Sequence, residues 1–287
     1  MRLARSACAF AMVVVGSVAT LRADQPVAHR IVSLAPHLTE LAFDAGAGEY
    51  VVAADEYSDH PPAARRIPRV GNAFRVDFER LMALKPDAVL VWQSGTPQQT
   101  IDRVRALKIP VVDVATYKLA DVAEAVRTIG RLAGTAQTAD AAASRYEQAL
   151  DELRKRYRDR PVLSAFLQVN DQPLYTVNGK QIMSQALELC GGRNVFAGLS
   201  ELAPAVGVES VIAADPDVII SIDDTVPNPR AQWQRWKQLR AVRNDNVFAL
   251  PADDLARPTL RLVAGIQSLC DTMDKAREHS NLREHAS

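Results

Sequence analysis

The sequence predicts an α/β protein of two lobes, each a parallel sheet with flanking helices, joined by one long helix with a cleft between. Two observations carry that reading. Residues Thr135 to Asp159 contain neither Gly nor Pro and are rich in helix formers. Tyr146, Ala149, Leu150, Leu153 and Tyr157 recur there at steps of three and four, one apolar stripe on one helix face. On either side lies a copy of one motif. The segment from Phe78 to Trp92 aligns without a gap on Val208 to Ile222, matching Glu79 with Glu209, Ala83 with Ala213, Pro86 with Pro216 and Asp87 with Asp217. Each copy reads as a short helix, a Pro-Asp turn and an apolar run suited to a buried parallel strand.

In chain order, Arg30–Leu34 is a predicted strand, and Thr39 is placed to cap a helix that stops at Gly46-Ala-Gly48. Tyr50–Ala54 is a second strand, and Asp55 to Gly71 is a polar, Pro-rich loop. After the first motif come a helix over Pro97–Leu107, a strand over Ile109–Ala115 and a helix over Ala120–Ala133. Thr135 and Pro161 bracket the long helix as start and stop. The second lobe opens with a strand over Pro161–Val169 and a turn over Asn170–Pro173. Leu174–Val177 with Asn178-Gly179 follows as a hairpin edge. A helix over Ser184–Cys190 ends in Gly191-Gly192 and echoes the Gly46 stop. After the second motif come a helix over Arg230–Leu239, a strand over Asn246–Leu250 and a last helix over Thr259–Arg277, with fraying expected beyond Glu278.

Arg2 and Arg5 precede an apolar stretch from Ala7 to Ala19, and Leu21-Arg22-Ala23 is a small-residue cleavage site. The stretch is short for a membrane span, so export with cleavage near Ala23 is expected; an uncleaved anchor is the alternative. The expected division is 1–23 signal segment, 24–134 first lobe, 135–160 connecting helix and 161–287 second lobe. Charge is balanced at 34 basic and 34 acidic residues, which offers nucleic acid no basic surface. Of three cysteines, Cys190 and Cys270 remain after cleavage. An even pair in an oxidising compartment is expected to form a disulfide, two unrelated buried thiols being the alternative.

Catalytic patterns are missing: there is no phosphate-binding glycine loop, no Gly-x-Ser-x-Gly and no His-Glu-x-x-His. His37, His60 and the acids Asp55, Glu56 and Asp59 lie in the first lobe without a standard metal spacing, and ordinary surface or capping roles are favoured. Asp253, Asp254 and Arg257 follow a predicted strand, where open α/β sheets place ligands; a helix N-terminal turn explains them equally well. Tyr57, Trp92 and Tyr175 stand at predicted strand edges and suit either a cleft for a flat ligand or the core.

Several segments together resemble the periplasmic substrate-binding proteins of ABC importers. They are Arg30-Ile-Val-Ser-Leu-Ala-Pro36 with Thr39-Glu-Leu41, Tyr57-Ser-Asp-His-Pro-Pro62, Ala83-Leu-Lys-Pro-Asp87, Leu187-Glu-Leu-Cys-Gly-Gly192 and Asn194-Val-Phe196. The resemblance runs from about Arg30 to Met273 and is strongest to the vitamin B12-binding members of the group with a helical backbone. It implies two Rossmann-like lobes on a rigid helix and a monomer in the periplasm. It also implies a corrinoid or other metal-chelate ligand, no cofactor and no chemistry. It assigns Glu79 and Glu209 to docking on the permease dimer of an ABC transporter with its ATPase, where their charge would steer association. It places Cys190 and Cys270 at a disulfide. It implies Tyr57, Trp92, Tyr175, Asp253 and Arg257 as ligand contacts, while Ala73 and Ala203 stand where B12-binding members carry tryptophan, with Phe74 in part replacing the first. Loss of those rings leaves ferric siderophore or haem as the alternative ligand. From another class, an exported metal-dependent hydrolase using His37 and His60 is the rival.

Overall fold

The computed structural model describes residues 27–222 and 228–284. The expected signal segment lies outside them. In the first lobe the order is β1 (Ile31–Ser33), α1 (Pro36–Asp44), β2 (Val51–Ala54), β3 (Gly71–Asn72), β4 (Arg75–Val76), α2 (Phe78–Ala83), β5 (Ala88–Trp92), α3 (Gln98–Ala106), β6 (Val111–Val114) and α4 (Leu119–Ala133). Then α5 (Ala136–Tyr157) leads to β7 (Leu163–Gln168), α6 (Ile182–Leu189), β8 (Gly192–Asn194), α7 (Val208–Ala214), β9 (Val218–Ser221), α8 (Pro229–Trp233), α9 (Arg240–Arg243), β10 (Val247–Ala249), α10 (Ala252–Ala256) and α11 (Leu262–Glu284).

The two main sheets are four-stranded, ordered β2-β1-β5-β6 and β10-β9-β7-β8, and every pairing within them is parallel. Reading the second from β8 gives the same order of strands by rank within the lobe. The β3–β4 pair is a small antiparallel ribbon. Continuous apolar strands result because both sheet faces are covered. Ala88 and Leu90 face a core shared by both lobes, while Val89 and Val91 face a cluster belonging to the first lobe alone. Likewise Ala165, Leu167, Val218 and Ile220 join the shared core, and Phe166 and Ile219 a cluster private to the second lobe. The period of two therefore sorts each strand between a common interior and its own outer layer.

The shared core is organised on α5. Tyr146, Leu150, Leu153 and Tyr157 are buried as the stripe requires, joined by Ala139, Ala142 and Ala143; Ala149 is only half-buried. At 22 residues the helix is about 33 Å long. Its two tyrosines reach in opposite directions. Tyr146 donates to the carbonyl of Leu119 at 2.9 Å, and Tyr157 donates to Asp271 on α11 at 3.3 Å. Arg127 on α4 makes a two-pronged pair with Glu147 at 2.6 and 2.7 Å.

Five local expectations are corrected. Thr39 does not cap α1, because Pro36 starts the helix and the Thr39 hydroxyl is buried against Ser33 and Ser58. Thr135 makes no side-chain cap either; its hydroxyl donates to Ala45 O at 2.7 Å. Leu174–Val177 forms no hairpin edge, since Asn178 turns its amide to Leu199 O and Tyr175 makes only isolated bridges to Asn170 and Ala205. The helix expected over Arg230–Leu239 ends at Trp233, and the next helix, α9, starts only at Arg240. Trp233 is pulled inward to donate to Gln168 at 2.8 Å, and Asp215 accepts the Arg240 N–H at 2.8 Å to start a new turn. Finally, α11 continues to Glu284 instead of fraying, because His279 is held by Asn246 at 3.0 Å and stacks on Phe248. The Cys190–Cys270 disulfide ties α6 to α11 across a sequence separation of 80.

Candidate ligand-binding cleft

Strand C-termini and the loops after them meet between the lobes, as expected for parallel sheets. A cavity of about 210 Å³ lies there, lined from the first lobe by Trp92, Thr116 and Tyr117 and from the second by Lys180, Leu202 and Pro258 among others. Trp92 closes its inner end, set edge-on to His37 with ring centroids 4.9 Å apart. His37 is buried, and that burial lowers its pKa to about 3, so the imidazole is neutral. Its Nε2, Trp92 Nε1 and Thr116 Oγ1 are buried without a hydrogen-bond partner. The cleft floor is thus apolar in bulk with a few unspent polar groups, the composition of a small-molecule site.

Above this floor an ion-pair chain crosses between lobes. Arg257 binds Asp59 of the first lobe at 2.7 Å and Asp253 of its own lobe at 2.8 Å. The hydrogen bond from Arg257 holds the Asp59 pKa below its ordinary value. A second crossing is deeper: Arg261 grips the buried Glu40 at 2.7 and 3.1 Å and approaches Asp254 at 3.4 Å. Asp44, one turn beyond Glu40, has its pKa raised to about 7, first by burial and then by Glu40.

The expected site residues divide. Trp92 lines the cavity, and Arg257, between the lining residues Ala256 and Pro258, pairs with Asp253. Tyr57 is 62% exposed, on a loop fixed by Asp55, which accepts the Tyr57 N–H at 2.8 Å. Glu56 beside its hydroxyl raises the Tyr57 pKa. Phe74, 76% exposed, projects from the β3–β4 ribbon over a recess lined only by first-lobe residues, including Phe78 and Arg103. Tyr175 is half-buried beside Ala205. His37 is taken up by Trp92, and among the described residues no three His, Cys, Asp or Glu side chains are grouped to hold a metal. Glu79 and Glu209 are exposed in the first turns of α2 and α7, and neither makes an ion pair with a described residue. Sequence reasoning missed Thr116, Tyr117, Lys180, Leu202 and the Glu40–Arg261 pair. Tyr117 follows β6 at its C-terminal end, so the strand-end rule already applied to Asp253 would have found it.

The model of the periplasmic binding protein family matches residues 31–253. The chain belongs to that family. It is 35% identical to the vitamin B12-binding protein of Vibrio cholerae over 244 residues, covering 85% of this chain and 88% of that one. It is 34% identical to the vitamin B12-binding protein of Yersinia pseudotuberculosis over 265 residues, 92% of each. The crystal structure of the periplasmic vitamin B12 binding protein BtuF of Vibrio cholerae superposes with a TM-score of 0.82 at 34% identity, covering 87% of this chain and 98% of that one. A periplasmic heme-binding protein, BhuT, shares the fold at a TM-score of 0.78 and 21% identity, covering 86% and 98%. The two-lobed family architecture is therefore that of this chain. Among the described residues no helix is long and apolar enough to cross a membrane.

Proposed function

We propose that this chain is an exported solute-binding protein that captures a corrinoid in the cleft and delivers it, as a single copy, to the permease of an ABC importer. The relatives named for vitamin B12 support the ligand class, and the Trp92 floor between the lobes is the observation that carries it. Tyr57, Phe74, Trp92, Tyr175, Asp253 and Arg257 are the proposed ligand contacts. Glu79 and Glu209 are the proposed docking acids. The protein performs no chemistry on its cargo. Titrating the purified protein with cyanocobalamin, haem and a ferric siderophore tests this. Micromolar or tighter binding of cyanocobalamin is expected, and its failure there refutes the ligand.

Ferric siderophore or haem is the second reading, favoured by Ala73 and Ala203. Two missing indole faces forgo about 1 kcal/mol each of packing against a corrinoid, at positions where the B12-binding members carry tryptophan. Haem binding tighter than cyanocobalamin binding would select it.

A further inference from the structure

The cleft continues outward past Trp92. Its 210 Å³ inner cavity shares Tyr117, Lys180 and Leu202 with an outer chamber of about 660 Å³. Among the described residues no carboxylate lines either space. Their charged side chains are Lys118, from the first lobe, and Lys180, from the second. Both are exposed, and neither forms an ion pair with a described residue. Arg257, next to the lining residues Ala256 and Pro258, is by contrast already matched by Asp59 and Asp253. Among the described residues that line these two spaces, the charge without an ionic partner is therefore positive, in a chain whose acids and bases balance at 34 each.

The two lysines are held across from each other by a bridge between lobes. Gln185 Nε2 donates to Tyr117 O at 2.9 Å and to Lys180 O at 3.1 Å. Its Oε1 accepts the Leu119 N–H at 3.3 Å. One side chain thus fixes the backbone on both flanks of the opening. Like charges held near each other repel, and an anion between them relieves that repulsion while drawing a charged ligand inward. Ser200 on the same wall adds a hydroxyl donor.

We propose that the outer chamber is an anion subsite, in which Lys118 and Lys180 receive an oxyanion carried on a side arm of the ligand. For a corrinoid that group is the phosphate diester of its nucleotide arm, so this inference rests on the corrinoid reading of the cleft. Lysine suits the task because its ammonium is a point charge on a flexible stem, indifferent to the exact angle at which an arm enters.

The test compares cyanocobalamin, which carries the diester, with cobinamide, which lacks the nucleotide arm, on wild type and on Lys118→Gln/Lys180→Gln. Two exposed charge pairs at their usual strength give about tenfold weaker cyanocobalamin binding in the variant. Cobinamide binding falls by a clearly smaller factor, Lys180 also lining the inner cavity, added salt narrows the wild-type advantage, and Lys118→Arg/Lys180→Arg retains most of it. Equal cyanocobalamin binding by wild type and variant, or an equal loss for both corrinoids, overturns the subsite and leaves the corrinoid reading standing. A wild-type protein that binds neither corrinoid overturns both.

Discussion

At the first Pro-Asp turn Lys85 takes a left-handed φ of 45°, and Asp87 accepts the N–H groups of His29 and Arg30 at 2.9 Å each. At the second, Asp215 takes φ 40°, and Asp217 accepts the N–H and hydroxyl of Ser164 at 2.8 and 2.6 Å. Both aspartates pin the strand that starts next to their own, β1 in one lobe and β7 in the other. Away from this junction the lobes diverge. Asp77 caps α2 through the Arg80 N–H, whereas Gly207 begins α7 with no side chain to cap it. The second lobe adds Arg240, which binds both Asp215 and Asp217, and the disulfide. The first lobe packs the long α4 along α5. The repeated part is thus what a parallel strand junction demands. The divergent parts are separate solutions to holding the outer layer, and short helices such as α8 and α9 leave the second lobe more dependent on staples.

That contrast can be broken in graded steps. Cys190→Ala with Cys270→Ala should cost about 4 kcal/mol by the loop-entropy model, read by urea unfolding; a loss below about 1 kcal/mol would mean the second lobe holds itself without the staple. Asp217→Ala should cost about 3 kcal/mol and Asp87→Ala about 2 kcal/mol, because loss of Asp217 also removes one of the two carboxylates that bind Arg240. The reverse order in equilibrium unfolding would contradict the added role of Arg240.

Asp44 gives a smaller, pH-dependent effect at the contact between lobes, where it faces Glu40 on its own helix, Arg261 across the gap, and the Leu260 N–H. Its folded pKa of about 7 lies above the unfolded value, so its stabilisation is present at low pH and fades as pH rises through about 7. Asp44→Asn should therefore gain on wild type in melting temperature between pH 5 and pH 8. An offset that does not change with pH would remove Asp44 from this account. Glu79→Ala with Glu209→Ala should leave stability and ligand affinity within error yet abolish uptake in cells; undiminished uptake would rule out docking through these acids.

Much of the fold was legible because its signals are local. The alanine-rich run, the stripe on Tyr146 to Tyr157 and the paired Pro-Asp turns need no knowledge of the rest of the chain. What failed depended on partners far away in sequence. Thr39 was drawn from a cap by Ser58, and the helix after Arg230 was cut by Gln168 and Asp215. The cleft was half legible for the same reason. Trp92 and Arg257 announced themselves at strand ends, whereas Lys180 matters only because Gln185 brings it opposite Lys118.

The shared core around α5 has a consequence for traffic at the membrane. With one interior common to both lobes, and with Gln185, Arg257 and Arg261 bridging the cleft, the proposed docking acids Glu79 and Glu209 are expected to keep nearly one spacing with and without cargo. On the proposed docking role, empty and loaded molecules would then present the same footprint and compete for the same dock. Uptake should pass through a maximum as the protein is overproduced, since surplus empty copies occupy transporters that loaded ones need.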